Sequence, residues 1–568
     1  MNPGVDSSLY VDDFLICYRS KNMHTIERQL QHCLNKLQTW CNENGFKFSP
    51  TKTQCVHFCQ LKRRHDDPEL TLNNSKIPVV DQAKFLGLIF DRKLSFVPHI
   101  KALRTKCLKA LNLLKVLAHT DWGADRKVLM RLYRSLIRSK LDYACIIYGS
   151  ARKSHLQMLD SIHHQGLRLV SGAFRTSPVE SILAETNEPS LYLRREKLAL
   201  NYFCQVKSNP NNAANEIIRP RYERLYDQKP KALRPFGLRC KQSMETFEIK
   251  PESIHQHTVP EIPPWKIQKP TVLFQLSSNK KSDTSSLEFQ SKFNELKSLF
   301  PNHIPIYTDG SKEGDKVGCA SVSDLHTSKM RLPAESSIFT AEVKAIDLAF
   351  RFISSHTHRN FIIFSDSLSV LQSLYTKRMN NPQIQNLLLT HHDLTSTKSI
   401  VFCWLPSHIG IRGNEEADKA AKLSLSLQPS NIKIPFTDWK PVIHQIIHSK
   451  WQTSWDNAVF NKLHSVMPTL GDPIYSYRSV RREEVVLSRC RIGHTKLTHS
   501  YLLLREEQPE CVFCSEPLTA KHLLIDCIDL ALARAKYFDV QTMHQLFNTI
   551  SYDNILLFLK ETGLYQRL

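Results

Sequence analysis

The chain has 568 residues, a formal net charge of +22 and a pI of about 9.3. This length exceeds what one hydrophobic core usually supports, so we expect three or four domains. The positive charge favours a polyanionic partner, most simply nucleic acid. An apolar secretion signal and a membrane-spanning run of about 18 apolar residues are both lacking. We therefore expect an intracellular protein, neither secreted nor membrane-bound.

The N-terminal segment opens with a hairpin pattern over residues 8–18, in which two apolar arms flank Asp12 and Asp13. Paired acids at a hairpin tip can bind Mg²⁺ for nucleotidyl transfer, although two acids in a turn are more often only solvated. A helix is predicted over 26–40 and a strand over 54–58, and Lys52 lies between them. The sequence Phe-Leu-Gly-Leu follows at 85–88.

A helix-rich basic segment then extends from residue 99 to about 206. Its apolar residues recur at helical spacing and supply a packed face. The exposed cations form either a surface that follows phosphates or an ordinary solvated helix face, and the sequence favours neither. These cations are Lys101, Arg104, Lys106, Lys109, Arg131, Arg134 and Arg138.

The order of motifs and predicted elements up to residue 206 resembles the C-terminal half of the reverse transcriptase of a non-LTR retrotransposon, of the Jockey or I-element kind. The box Tyr10–Asp13, the motif at Lys52 and the hairpin Phe85–Leu88 carry the resemblance. It implies a partial polymerase site at Asp12, Asp13 and Lys52, in a palm over 1–98 and a helical thumb over 99–207. Eleven residues precede Asp12, so the fingers and the first catalytic aspartate of that family are missing. We therefore expect a truncated polyprotein that cannot polymerise alone.

Prolines punctuate the next segment, and its apolar periodicity is weak. This composition predicts an extended, partly disordered linker over 208–297. A short helix is predicted over 286–300, leading into the following domain.

The segment 304–422 places acids at the ends of predicted elements. Acids that converge at one end of a sheet repel one another unless cations neutralise them, and Mg²⁺ prefers such oxygen ligands. Any one acid is most often an ordinary surface residue, but four in this arrangement are far less expected by chance. They are Asp309, which ends a strand before a Gly310-Ser311 turn; Glu342, which opens a helix over 340–354; Asp366, which follows a strand over 361–365; and Asp418, in a helix capped by Asn414.

The order of motifs in this segment resembles the type 1 ribonuclease H fold. The motifs are Thr308–Ser311, Ala341-Glu342, Ser365–Ser367, Ser407-His408 and Gly413–Asp418. The resemblance implies a mixed sheet with flanking helices over 298–427. It also implies Mg²⁺-dependent endonucleolytic hydrolysis of the RNA strand of RNA–DNA hybrids.

The same resemblance implies a role for each site residue. Two Mg²⁺ ions would bind Asp309, Glu342, Asp366 and Asp418. His408, in a flexible loop, would shuttle a proton or aid product release; the alternative is a loop histidine of no consequence. Gly310, Ser311 and Glu342 would contact the RNA 2′-hydroxyls that distinguish RNA from DNA.

The C-terminal region, 428–568, contains the spacing Cys511-x₂-Cys514-x₇-His522-x₄-Cys527. These four residue types can enclose Zn²⁺ tetrahedrally. The ending resembles the zinc-knuckle-like ending of many non-LTR polyproteins, with a longer middle gap. A helical domain with buried thiols is the alternative, and further candidate ligands are Cys490, His494 and His499.

The sequence thus predicts a multidomain α/β protein: a partial palm, a helical thumb, a linker, a ribonuclease H domain and a helical tail with a candidate zinc motif. The expected partners are RNA–DNA hybrids, RNA and DNA, in the nucleus and cytoplasm. The alternative is a non-catalytic, nucleic-acid-binding relic of a retrotransposon. The intact set of acids favours the nuclease.

Overall fold

The computed structural model describes residues 4–59, 61, 66–228, 232, 234–258, 260–278, 281–471, 478 and 480–568. The chain divides into two compact units. The first unit comprises Met1–Leu198, Lys229–Arg234 and Ser449–Leu568, and the second comprises Ala199–Gln228 and Pro235–His448. Within the described ranges, no helix is both long and apolar enough to cross a membrane.

The first unit begins with small β-hairpins around one long helix. The helix is amphipathic and buries Leu30, Cys33 and Leu34 against apolar residues of the following loops, as its predicted periodicity requires. The strand predicted over 54–58 is reduced to a single bridge between Cys55 and Val79. The elements are β1 (Asp6–Tyr10), β2 (Asp13–Cys17), α1 (Met23–Glu43), β3 (Thr71–Leu72), β4 (Ser75–Lys76), β5 (Gln82–Phe85) and β6 (Leu88–Asp91).

Helices then continue to residue 208, as the sequence predicts. Their core contains two large, fully buried tyrosines, Tyr133 and Tyr148. A π-helical turn at Arg134–Arg138 follows the second helix of this series. The helices are α2 (Val97–Leu117), α3 (Arg126–Tyr133), α4 (Ser139–Asp142), α5 (Cys145–Tyr148), α6 (Lys153–Ser171), α7 (Val179–Thr186) and α8 (Leu191–Ser208).

The segment predicted as a linker, 208–297, is not unstructured. Its apolar residues are too few for a core of their own, but several are buried against the rest of the second unit, including Ile267 and Leu276. Two 3₁₀ turns lie at Pro251–Ser253 and Gln275–Ser278. The elements are α9 (Asn215–Ile218), α10 (Glu223–Asp227), α11 (Phe236–Thr246), β7 (Thr271–Leu273) and α12 (Ser286–Ser298).

A mixed sheet and its helices follow, close to the elements that the sequence predicts. The β11 and β12 strands are short and rich in β-branched and aromatic residues, which favours strand formation. The elements are β8 (Ile304–Glu313), β9 (Lys316–Ser323), β10 (His326–Leu332), α13 (Ile338–Ser355), β11 (Asn360–Ser365), α14 (Leu368–Tyr375), α15 (Pro382–Leu394), β12 (Ser399–Trp404), α16 (Arg412–Ser424) and α17 (Phe436–Asp456).

The sheet has six strands in the order β10-β9-β8-β11-β12-β7. The β8, β9 and β10 strands form an antiparallel meander, while β11 pairs in parallel with β8 and β12, and β7 adds to the edge in parallel with β12. Apolar clusters cover both faces of the sheet. Helices α13, α14 and α15 contribute to one cluster, and α12 and α16 contribute to the other. The predicted mixed sheet with flanking helices is confirmed.

The C-terminal part of the first unit packs onto the earlier helices through buried ion pairs. Arg126 at the start of α3 pairs with Glu185 of α7, and its backbone N–H donates to Glu484 of the helix Arg481–Ile492, α19. Ser488 of α19 also donates to Glu185. The elements of this part are α18 (Lys462–Val466), α19 (Arg481–Ile492), α20 (Lys496–His499), α21 (Tyr501–Leu504), a π-helical turn (His522–Asp526), α22 (Ala531–Tyr537), α23 (Met543–Thr549) and α24 (Tyr552–Glu561).

Three predicted element boundaries around the acids are wrong. The β8 strand does not end at residue 308 but continues to Glu313, because β9 pairs with it along that length; the turn lies at Gly314 rather than at Gly310-Ser311. The α13 helix begins at Ile338, so Glu342 lies in its second turn. The α16 helix begins at Arg412, so Asn414 is an interior residue and not the N-cap.

Candidate functional site

The parallel pairing of β8 with β11 brings Asp309 and Asp366 together. Thr308 is in register with Ser365; Asp309 is the next residue of β8, and Asp366 is the first residue after β11. Side chains at equivalent positions of neighbouring parallel strands point to the same face. The indole N–H of Trp404 donates to the main-chain carbonyl of Asp366 at 3.0 Å, which fixes the chain where β11 ends.

Glu342 reaches the same point from α13, and a glycine makes that approach possible. A Cβ atom at Gly310 would lie 2.9 Å from the Cβ of Ala341 and 2.9 Å from the backbone nitrogen of Glu342. The helix can therefore pack directly on the strand only with glycine at this position. One ligand oxygen each of Asp309, Glu342 and Asp366 lies within 4.8 Å of the others.

Asp309 and Glu342 are buried and Asp366 is half-buried, and the three carboxyl groups destabilise one another when ionised. Burial and the neighbouring charges of Asp366 and Asp418 raise the pKa of Asp309 to about 8. Burial, with Asp366 and Asp309 nearby, raises the pKa of Glu342 well above its usual value. Burial also raises the pKa of Asp366. Such a cluster is the environment that a bound cation relieves.

One oxygen of Glu342 shows directly that the cluster suits a cation. Its Oε2 atom is buried and has no hydrogen-bond partner among the described residues. A buried carboxylate oxygen without a partner is costly, and a hard divalent cation such as Mg²⁺ would satisfy it. The residues present therefore fit the cofactor that the sequence predicts.

Asp418 and His408 lie at the edge of this cluster. The ligand atoms of His408, Glu415 and Asp418 lie within 4.8 Å of one another. Lys422 donates to Asp418 Oδ2 at 2.8 Å, so Asp418 already has a cationic partner. His408 is exposed and has a left-handed backbone, with φ of 53°. Its loop is anchored by the side chain of Gln290, which donates to the carbonyl of Ile409 at 2.7 Å.

The interior position of Asn414 gives it a function that sequence analysis missed. Its side chain lies beside Asp366 and lowers the pKa of that carboxyl group, opposing the effect of burial. Sequence analysis assigned it to helix capping because asparagine is a common N-cap residue. Only the start of α16 at Arg412 shows that Asn414 faces the acids instead.

Asp438 is a second supporting residue that sequence analysis missed. Its buried carboxylate accepts hydrogen bonds from the backbone N–H and hydroxyl of Ser337, at 2.8 and 3.0 Å, and from Thr340 Oγ1 at 2.6 Å. It thus lies at the N-terminus of α13, where negative charge is favoured. Asp438 is outside the predicted domain boundary at residue 427, and no local signal distinguishes it.

The candidate zinc residues also meet in space. Ligand atoms of Cys511, Cys514, His522 and Cys527 lie within 4.8 Å of one another. The sulfur of Cys527 is 3.9 Å from each of the other two sulfurs, close to the roughly 3.8 Å edge of a tetrahedron with Zn–S bonds of about 2.3 Å. The neighbouring His522 lowers the pKa of the Cys511 thiol to about 6, which favours a metal-binding thiolate. The residues fit a zinc ion.

The alternative zinc ligands are engaged elsewhere in the first unit. Cys490 is fully buried in α19. The rings of His494 and His499 stack with centroids 3.8 Å apart, and Lys462 lies 3.0 Å from Nε2 of His499. Among the described residues, the metal-capable cluster of the tail does not include these three.

The candidate polymerase residues are exposed. Asp12 lies in the two-residue turn between β1 and β2, and Asp13 is the first residue of β2. In the part of the chain that the structure describes, no third acid or histidine joins them at metal-ligating distance. Lys52 lies in an exposed turn. The absence of polymerisation by the chain stays a prediction.

Comparison with known families assigns the two main segments. Residues 301–426 match the family model of RNase H, and residues 2–90 match that of reverse transcriptase (RNA-dependent DNA polymerase). The chain carries an RNase H domain and a reverse transcriptase segment. The predicted resemblances are therefore confirmed.

The similar curated proteins are polymerases of mobile elements. The RNA-directed DNA polymerase from mobile element jockey of Drosophila funebris is 28% identical over 212 residues, covering 37% of this chain and 22% of the relative. The probable polymerase from transposon X-element of Drosophila melanogaster is 25% identical over 240 residues, covering 40% of this chain and 26% of the relative. The chain thus spans about a quarter of the length of these relatives. A crystal structure of LC11-RNase H1 in complex with an RNA/DNA hybrid is 20% identical, with a TM-score of 0.19, covering 22% of this chain and 99% of that one.

The raised pKa of Asp309 predicts how stability depends on pH. A carboxyl group with a pKa of about 8 in the folded chain and 3.8 as a free side chain stabilises the fold below pH 4, and this contribution is lost as the pH rises toward 8. Asp309→Asn removes that titration. Without divalent cations, the variant should gain stability relative to the native chain between pH 5 and pH 9, by a few degrees in Tm.

Thermal unfolding of both chains across this pH range measures the effect. Asp393→Asn is the matched control, because Asp393 is an exposed residue on α15, before the start of β12 and away from the ends of β8 and β11. Added Mg²⁺ at pH 8 should stabilise the native chain more than Asp309→Asn. Parallel pH profiles for the native chain and Asp309→Asn would show that the repulsion is absent.

The contacts of Asp438 predict that it stabilises α13 and the position of Glu342. Asp438→Ala removes the acceptor of three hydrogen bonds and leaves Thr340 buried beside a small cavity. We expect a loss of about 1–3 kcal/mol in the free energy of unfolding. Urea denaturation monitored by hydrogen exchange in α13 measures it, with the exposed Asp393→Ala as control. Equal stability of the two variants would contradict this assignment.

Proposed function

We propose that the second unit hydrolyses the RNA strand of RNA–DNA hybrids with bound Mg²⁺. The observation that carries the proposal is the cluster of buried Asp309 and Glu342 with half-buried Asp366, whose charges repel one another and in which Glu342 Oε2 has no partner in the described structure. A structural role does not require three converging buried acids, since burial of unpaired charge destabilises a fold. The match of residues 301–426 to RNase H supports the same reading.

The four acids of the site would bind the metal. Asp309, Glu342 and Asp366 would hold the metal from three elements, and Asp418 would complete the set from α16. Bound Mg²⁺ supplies a water of lowered pKa and neutralises charge on the scissile phosphate. Lys422, which donates to Oδ2 of Asp418, would hold that carboxylate in position.

His408 and the Gly310-Ser311 segment would act on the substrate. His408 is exposed beside Asp418, so its imidazole would be within reach of the substrate and would aid product release. Main-chain groups of this segment of β8, which lies against Glu342, would hydrogen-bond a 2′-hydroxyl of the RNA strand. The preference for RNA over DNA would arise from these contacts.

We expect Asp366→Asn to abolish cleavage while leaving the fold intact. Asparagine keeps the shape of the side chain but removes the charge that binds the cation, and a lost metal ligand reduces turnover by about 100-fold or more. Full-length chain is incubated with labelled RNA–DNA hybrid, duplex RNA and duplex DNA, with and without Mg²⁺. Cuts should appear only in the RNA of the hybrid, only with Mg²⁺, and with Asp393→Asn but not with Asp366→Asn.

Two results would refute the proposal in different ways. Turnover by Asp366→Asn equal to that of the native chain would overturn the metal assignment. Binding of the hybrid by a folded native chain without any cleavage would favour a non-catalytic relic that retains nucleic-acid binding.

We also propose that Cys511, Cys514, His522 and Cys527 bind one zinc ion and that this ion stabilises the C-terminal part of the first unit. The support is the tetrahedral spacing of the sulfurs and the lowered pKa of Cys511. Structural zinc sites contribute directly to folding free energy.

Elemental analysis of the purified chain should therefore find one zinc per molecule. Cys514→Ser should lose the metal and lower the Tm of the first unit, whereas Cys17→Ser, at an exposed thiol outside the cluster, should change neither. A zinc-free native chain whose unfolding is unaffected by chelator would exclude the site.

A further inference from the structure

The turn after α2 presents an exposed aromatic stack. The indole of Trp122 lies on the imidazole of His119, with ring centroids 4.7 Å apart and planes at 12°. Trp122 is 67% exposed, so one face of the indole contacts His119 while much of the ring remains open to solvent. The open face of the indole offers a large flat surface on which a ligand can stack.

The local backbone holds this stack in place. The backbone N–H of Asp121 donates to Nδ1 of His119 at 3.2 Å, which orients the imidazole ring. Gly123 donates to the carbonyl of His119 at 3.1 Å, closing the turn. A Cβ atom at Gly123 would lie 2.3 Å from that carbonyl oxygen, so the tight turn requires glycine. The backbone of the turn therefore fixes the relative position of the two rings.

Helix capping does not account for this pair, although it accounts for a similar one nearby. Trp40 stacks on Phe46 after α1, but there the backbone N–H of Phe46 donates to the carbonyl of Cys41 across Gly45, which has φ of 73°. That arrangement is a helix C-terminal motif with its usual apolar contact. The residue after α2, Ala118, is not left-handed, with φ of −100°, so the Trp122–His119 stack has no such explanation.

The electrostatic surroundings indicate an anionic ligand. The α2 helix that leads to the stack carries five lysines and arginines and no acid. All five are exposed: Lys101, Arg104, Lys106, Lys109 and Lys115. The acid closest to the stack in sequence, Asp121, lies 3.6 Å from Arg482, which offsets its charge. A cationic helix that ends in an exposed aromatic ring matches the combination that binds single-stranded nucleic acids.

We propose that the Trp122–His119 stack is a platform for an unpaired base of a single-stranded nucleic acid, whose backbone runs along the cations of α2. This site lies in the first unit and is independent of the proposed hydrolysis by the second. The base would stack on the open face of the indole, and its phosphates would contact α2. Because the platform contacts the base and not the sugar, it would bind RNA and DNA single strands alike.

Three substitutions test the platform in the full-length chain without added divalent cations. Trp122→Leu keeps an apolar side chain but removes the aromatic face, whereas Trp122→Phe keeps a smaller aromatic face. Phe460→Leu is the control, since Phe460 is 98% exposed in the same unit. The probes are single-stranded RNA and DNA oligonucleotides that carry 2-aminopurine, whose fluorescence is quenched on stacking, and a duplex RNA of the same sequence.

Trp122→Leu should weaken binding of both single strands by about 5- to 150-fold, the range for loss of one stacked base, and should abolish the quenching. Trp122→Phe should retain most of both signals, and Phe460→Leu should retain them fully. Duplex affinity should be unchanged, because paired bases cannot reach the platform. Native affinity and quenching in Trp122→Leu would overturn the proposal, as would an equal loss for duplex and single strands.

Discussion

The repulsion among Asp309, Glu342 and Asp366 is the constraint on which the second unit depends. Each carboxyl group lies on a different element, and burial places all three where their ionised forms are least stable. The fold must therefore hold them together against their own charge. A cation bound among the three groups would remove this repulsion, because carboxylates that repel one another are each attracted to a positive ion.

The surrounding structure explains how the fold withstands that repulsion. The β8–β11 ladder sets the distance between Asp309 and Asp366 through backbone hydrogen bonds that no side-chain charge can easily break. The α13 helix is held from its N-terminus by Asp438, whose negative charge complements the helix dipole. Asn414 lies beside Asp366 and lowers the pKa of its carboxyl group, which favours the ionised form. Rigid support of this kind keeps ligands in place before a metal arrives.

Sequence analysis could find the acids but not all that positions them. Apolar runs ending near Asp309 and Asp366 are local signals, so the strands and the mixed sheet were predictable. The three-residue strand Thr271–Leu273 was not, because its only support is pairing with β12 about 130 residues later. The same holds for Asp438, whose contacts with Ser337 and Thr340 span about a hundred positions. The prediction for Asn414 was wrong for another reason. Asparagine is a common N-cap residue, so no signal in the sequence indicated that Asn414 lies beside Asp366.

In the first unit, segments that are far apart in the sequence pack against each other. The predicted thumb and tail are separated by more than 200 residues, yet Arg126, Glu185 and Glu484 join α3, α7 and α19 in one buried network. Buried ion pairs need complete partners, since removing one partner leaves an unpaired charge in the core. The C-terminal segment is therefore part of the same folded body as the cationic α2 helix, and it supplies Arg482 beside Asp121. The proposed nucleic-acid surface on α2 therefore belongs to a unit that the predicted thumb and tail form together.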